Sequence, residues 1–123
     1  MEKFATFARI AEVEFSDIVL STHYLGHKFR IYLKDKTFID LFYTTKLETQ
    51  RFSIHWERAY IDGSIYRIDN TPDKKWIKVA TFPLHFHNKE YNKVEAVSSF
   101  IDKRDSLEEI FRKFLQFVRK KMS

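Results

Sequence analysis

The 123-residue sequence contains no cysteine, only two glycines and two prolines, and no long uninterrupted apolar run. Without cysteine, disulfides, thiolate metal sites and a thiol nucleophile are excluded, and nothing points to an oxidising compartment. With so little glycine, there is neither a glycine-rich phosphate loop nor a GxSxG nucleophile elbow. No segment has the length needed to cross a bilayer, and acids interrupt the N-terminal MEKFATFARIAEVEF where a signal peptide requires an apolar stretch. A cytoplasmic protein with no membrane partner is the expectation. Acids are the minority charge: 22 Lys and Arg against 17 Asp and Glu give a net charge of +5 and a pI near 9.4. In that range RNA, a ribosomal surface or an acidic protein is a natural partner.

What the sequence has in quantity is aromatic rings. Thirteen Phe, six Tyr and two Trp supply 17% of the residues, so a core can be filled mainly by large rings. At this length one domain over residues 1–123 is the default. The densest stretch runs from His55 to His87 and holds three of the five histidines, both tryptophans and both prolines. It is too polar for a purely structural strand and too aromatic for a solvated loop, and it reads as the functional centre.

Taken in order, Phe4, Phe7, Ala8 and Ala11 have helical spacing, which predicts a helix from Glu2 to about Ala11. A strand is expected from Asp17 to Tyr24. HKFRIYLK and TFIDLFYT alternate around Asp35-Lys36. A two-residue turn there sets Phe29 opposite Phe42, Leu33 opposite Phe38 and Ile31 beside Asp40. A longer loop is the competing register, because Lys36 would need positive φ. Asp40 then reads as an edge-exposed acid or as a polar residue on an apolar face; exposure is favoured, since unpaired buried carboxylates are costly. Lys46 to Gln50 reads as a polar connection.

RFSIHWERAYI and SIYRIDN flank Asp62-Gly63, a strong hairpin signal. A two-residue turn sets Arg58 opposite Arg67 and Trp56 opposite Asp69; a three-residue turn sets Glu57 opposite Asp69. Either way, Ile65, Arg67 and Asp69 share one side of their strand. Asn70 to Asp73 is a turn around Pro72, Trp76 to Thr81 is a short strand, and Val94 to Phe100 is either an edge strand or a cover. Ser106 and Glu109 form a capping box for a helix from Leu107 to about Lys121, with Leu107, Ile110, Phe111, Phe114 and Val118 on one stripe. The fold class is α+β: a curved antiparallel sheet of about five or six strands, with an N-terminal helix and a C-terminal amphipathic helix packed on it.

His85 and His87 project to the same side of an extended segment. Such a pair suits metal binding with a carboxylate, or acid and base work across a scissile phosphate, because imidazole changes charge near neutral pH. The plainer alternative is one histidine hydrogen-bonded to backbone and one exposed. Asp69 or His55 is available as a third ligand, but no spacing matches a zinc signature, so no metal or cofactor is assigned. Arg58 and Arg67 are suited to gripping phosphate, and Trp56 and Trp76 to stacking on bases. Their plainer reading is ion pairing with Glu57 or Asp69 and ordinary ring packing.

HKFRIYLKDKTFIDLFYT, HWER, DGSIYRIDN and TFPLHFH, in that order and followed by an amphipathic helix, resemble the TumE-type toxins of prokaryotic toxin–antitoxin pairs. The resemblance spans roughly Tyr24 to Val118. Its matching positions include His55, Trp56, Glu57, Arg58, Arg67, Asp69, Asn70, Trp76, His85 and His87. It departs from the pattern at Asp73, where histidine usually follows the proline. It implies an antitoxin as partner and a ribonuclease-like or translation-blocking activity, and it leaves homo-oligomerisation open. On the first hypothesis, His85 and His87 supply acid and base, Arg58 and Arg67 stabilise phosphorane charge, and Asp69 orients an imidazole or an arginine. His55, Trp56, Glu57, Asn70 and Trp76 would bind the substrate. The second hypothesis is a non-catalytic nucleic-acid or protein binding module, and the third a metal-dependent nuclease.

Overall fold

The structure, a computed structural model, describes residues 2–44, 50–97, 100–102 and 104–123. The expected polar connection lies outside them except for Gln50. Apolar residues alternate with polar ones along most strands, and period-2 alternation demands a sheet with one covered face. That sheet has seven strands among the described residues: β1 (Val19–Tyr24), β2 (Phe29–Leu33), β3 (Phe38–Thr44), β4 (Arg51–Arg58), β5 (Ser64–Asp69), β6 (His85–Lys89) and β7 (Val94–Glu95). Each pairs antiparallel with the next, in the order β1 to β7, so the sheet is an open meander. The short pair Val94–Glu95 takes the count past the expected five or six.

The inner face carries Phe29, Ile31, Ile39, Leu41, Ile54, Trp56, Ile68 and Phe86, all buried. Two helical segments cover it. The N-terminal one is less regular than expected: a 3-10 turn at Glu2–Phe4, α1 (Ala5–Arg9) and a π turn at Ile10–Glu14. The C-terminal α3, after a short α2 (Ala59–Asp62), spans Leu107–Met122 and opens with the expected capping box. There the Ser106 amide donates to Glu109 Oε1 at 3.0 Å and the Glu109 amide to Ser106 Oγ at 3.2 Å. Phe7 meets Phe111 edge-on at 5.1 Å, joining α1 to α3. Phe117 of α3 packs against Trp56, Tyr66, Phe86 and Phe100. Such ring pairs add about 0.5–1.5 kcal/mol each beyond the area they bury.

Both central hairpins take a register other than the two-residue one. At Asp35-Lys36 the loop has three residues: Leu33 N–H donates to Thr37 O, Lys36 N–H to Leu33 O, and Lys36 sits at φ 72°. Arg30 therefore faces Asp40, and Ile31 faces Ile39. At Asp62-Gly63, residues 59–62 close a helical turn that ends on Gly63 at φ 77°, a conformation glycine adopts without steric cost. The Asp62 carboxylate accepts the Ser64 amide at 3.0 Å and starts β5. His55, not Arg58, faces Arg67, and Ser53 faces Asp69.

The strand expected over Trp76 to Thr81 is instead a run of tight turns. A 3-10 turn at Lys74–Trp76 is capped by the Asp73 carboxylate, which accepts the Lys75 amide at 3.0 Å. Val79 N–H then donates to Trp76 O, and Phe82 N–H to Val79 O. These local bonds satisfy the backbone without a sheet partner.

Candidate functional site

The observed registers line up one ionisable residue per strand across five strands of the outer face. Arg30 faces Asp40, Asp40 faces His55, His55 faces Arg67, and Arg67 faces His87. One row along, Ser53 faces Asp69 and Asp69 faces His85. A face with this composition cannot be dry unless each charge is paired.

At the β5–β6 end the ionisable groups face one another and are closed off from solvent. Asp69, His85 and His87 are 4%, 2% and 1% exposed. Asp69 Oδ1 stands 3.3 Å from His85 Nε2, and Oδ2 stands 3.6 Å from His87 Nε2. Arg67 Nε donates to Oδ2 at 2.9 Å and the Thr71 amide to Oδ1 at 3.0 Å. Each ring is held from behind: His85 Nδ1 meets Pro83 O at 2.8 Å, and His87 Nδ1 meets Tyr91 O at 2.6 Å. A carbonyl only accepts, so both Nδ1 atoms carry hydrogen and both Nε2 atoms turn toward Asp69. Trp76 covers the pair, its ring 6.4 Å from His85 and 6.1 Å from His87, and Tyr91 stacks on His87 at 4.7 Å.

Burial alone would raise the Asp69 carboxyl's pKa; the His85, His87 and Arg67 side chains around it outweigh burial and hold the group far below the usual carboxylate range. For His85, burial pulls the pKa down, and the hydrogen bonds to Asp69 and the Pro83 carbonyl push it above its ordinary value.

The other end of the row is open. A cleft of about 480 Å³ is lined by Lys28, Arg30, Asp40, His55, Glu57 and Arg67, with Phe38 and Phe42 among its walls. Asp40 takes Arg30 through two bonds, at 2.7 and 2.9 Å, and Lys28 at 3.1 Å. Arg30 lies over the Phe38 ring at 3.9 Å. His55 Nε2 meets Glu57 Oε1 at 3.1 Å, while its Nδ1 is buried and has no partner among the described residues. Burial holds the His55 pKa below the ordinary imidazole value despite Glu57. Arg67 borders both the cleft and the closed cluster, touching Asp69 on one side and lining the cleft on the other.

The structure thus brings together Arg67, Asp69, His85, His87 and Trp76, with His55 and Glu57 beside them. It parts three residues from that group. Trp56 is wholly buried on the inner face, its indole N–H on Thr37 Oγ1 at 2.8 Å, and has no surface on which a base can stack. Arg58 lies on the inner side over the Trp56 ring at 4.7 Å and pairs with Asp35 and Asp62. Asn70 brackets the start of β4, accepting the Phe52 amide and donating to Gln50 O. Sequence reasoning passed over Lys28, Arg30 and Tyr91. The first two follow from the corrected register; Tyr91 acts partly through a backbone carbonyl, which leaves no mark in a sequence.

The fold and site define a small α+β protein with a buried two-imidazole carboxylate cluster beside a charged, ring-walled cleft. The Toxin TumE family model matches residues 4–122, nearly the whole chain, and the protein belongs to that family. No curated protein and no solved structure matches it. Among the described residues, no helix is long and apolar enough to cross a membrane.

Proposed function

We propose that the chain is the toxin of a two-gene toxin–antitoxin pair and that it stops growth by engaging RNA in the cleft between Lys28 and Arg67. The observation that supports this is the placement of Lys28, Arg30 and Arg67 on one open face together with the Phe38 and Phe42 rings. Cations that follow a phosphate backbone beside rings that accept bases are the elements of single-strand recognition. Expected behaviour is RNA binding that weakens steeply with salt. The double variant Lys28→Gln, Arg67→Gln should lose growth inhibition and flatten the salt slope by about 2, one per phosphate contact. Wild-type toxicity and RNA affinity in that folded variant would overturn the proposal.

Cleavage of the bound RNA is a second reading, favoured by His55. Burial holds the pKa of this imidazole below its ordinary value, and it lies between Arg30 and Arg67 with its Nε2 on Glu57, a part-exposed partner that an incoming RNA hydroxyl can displace, the features of a general base beside a charge-stabilising group. His85 and His87, the acid and base of the first hypothesis, have both ring nitrogens directed to groups within the protein. In this conformation their role is to hold Asp69, and through it Arg67. Incubating RNA with His55→Ala separates the two readings: loss of cleavage with binding retained assigns His55 to the chemistry. Absence of cleavage by the wild type leaves binding alone.

A further inference from the structure

We infer that Asp69, His85 and His87 form a binding site for one first-row divalent transition-metal ion, zinc by preference. The site is independent of the RNA reading, because it concerns what the protein holds rather than what it acts on.

Three features of the geometry lead there. The first is convergence: one ligand atom from each residue lies within 4.8 Å of the others, and all three residues are buried. Two imidazole nitrogens and one carboxylate oxygen suit zinc and its first-row neighbours, whereas calcium and magnesium favour sets made of oxygen.

The second is the orientation of the rings. Both Nδ1–H groups donate to backbone carbonyls, of Pro83 and Tyr91, and this directs both Nε2 atoms inward. That outer hydrogen bond is the arrangement by which metal-ligating histidines have their tautomer and ring plane set. Asp69 has its own outer contacts, from Arg67 and the Thr71 amide.

The third is spacing. Charge-assisted N–H···O bonds settle at about 2.7–2.9 Å. His85 Nε2 stands 3.3 Å from Oδ1 and His87 Nε2 3.6 Å from Oδ2, both longer than such bonds. Ligand atoms about 2.0–2.2 Å from a shared tetrahedral ion stand roughly 3.3–3.6 Å apart, so three atoms within 4.8 Å of one another need only a small turn of the rings or the carboxylate to close on an ion. The two imidazole rings lie 4.9 Å apart, and both Nε2 atoms face the one carboxylate. A single divalent ion gives all three ligand atoms a partner. With three protein ligands, a fourth position is left for water.

The probes are Zn²⁺ and Co²⁺ added to the full chain after chelation and dialysis. The expected result is uptake of one Zn²⁺ per chain, a rise in the thermal midpoint with Zn²⁺ and none with Mg²⁺. Co²⁺ should give the visible bands of a low-coordinate nitrogen and oxygen site. The folded His87→Gln variant should lose at least tenfold in Zn²⁺ affinity. Because that variant can fail to fold, the wild type supplies a second readout: Co²⁺ should shift the ring resonances of His85 and His87 and leave those of His23 and His27 in place. Substoichiometric uptake, uptake undiminished in folded His87→Gln, or shifts confined to His23 and His27 would each overturn the site.

Discussion

The two ends of the outer face are built from the same side chains and behave differently. At one, Asp40 holds Arg30 and Lys28, and His55 leans on Glu57 in an open cleft. At the other, Asp69 holds Arg67, His85 and His87 beneath Trp76 and Tyr91. Composition therefore does not decide what a carboxylate, an arginine and an imidazole do in register; the cover over them does. Under cover the local dielectric falls, every partner must be found within the protein, and one geometry is enforced. In the open cleft Lys28 and Arg30 keep part of their surface in water, so an incoming phosphate can compete with Asp40 for them.

Removing the central carboxylate breaks the comparison most severely. Asp69→Asn leaves Arg67 and two oriented imidazoles around a neutral amide, and a buried network stripped of one member loses roughly 3–5 kcal/mol. Urea unfolding of the two proteins should show this as a lower midpoint with an unchanged slope. A loss under about 1 kcal/mol would mean that the closed end is no more coupled than an exposed pair.

The matching change at the open end is smaller. Asp40→Asn should lose roughly 1.5–3 kcal/mol, the range for hydrogen bonds to charged groups. Its dependence on pH has a definite sign. Burial raises the Asp40 carboxyl's pKa, the hydrogen bonds from Arg30 and Lys28 outweigh it, and the group ionises below its ordinary value. A depressed carboxylate stabilises the fold at pH above its unfolded pKa of about 3.9, and that contribution is lost as pH falls through the folded value. The gap between wild type and Asp40→Asn should accordingly be full at pH 6 and close under acid. A gap that widens on acidification would show that Asp40 does not carry it.

Trp76→Ala sharpens the contrast by lifting the lid. The ring is only half-buried, so stability should fall by about 1–2 kcal/mol. The readout that matters is exchange: His85 and His87 ring N–H signals, protected in the wild type, should exchange with solvent in the variant while that of His55 is unchanged. Continued protection would assign the cover to Tyr91 alone.

Much of the fold is legible in the sequence because local signals are strong there. α3 begins at the residue its capping box implies, and Arg67 and Asp69 share a face whatever the loop length, since strand alternation alone requires it. The cross-strand row was not legible. It depends on registers that hang on one or three residues of loop, and a slip of one residue moves Asp40 from Arg30 to Ile31. The two tryptophans, read alike in the sequence, part for a related reason. Trp56 falls in step with Phe52 and Ile54 and goes into the core, whereas Trp76 lies on turns whose direction no period describes. The lid and the carbonyls behind the imidazoles are tertiary products with no motif.

The turn at Lys36 supplies the smallest test. Lysine there holds φ 72°, a region that costs a side-chain-bearing residue about 1 kcal/mol or more and glycine little. Glycine gives back part of that gain, because its unfolded chain is freer by a similar amount. Lys36→Gly should therefore change stability by less than about 1 kcal/mol and leave Arg30 opposite Asp40, with the Asp40→Asn loss intact in the double variant. If the substitution instead abolished that loss, the hairpin would have slipped to the two-residue register. In that case the lysine, by disfavouring a tighter turn, would be what keeps the charged row in line.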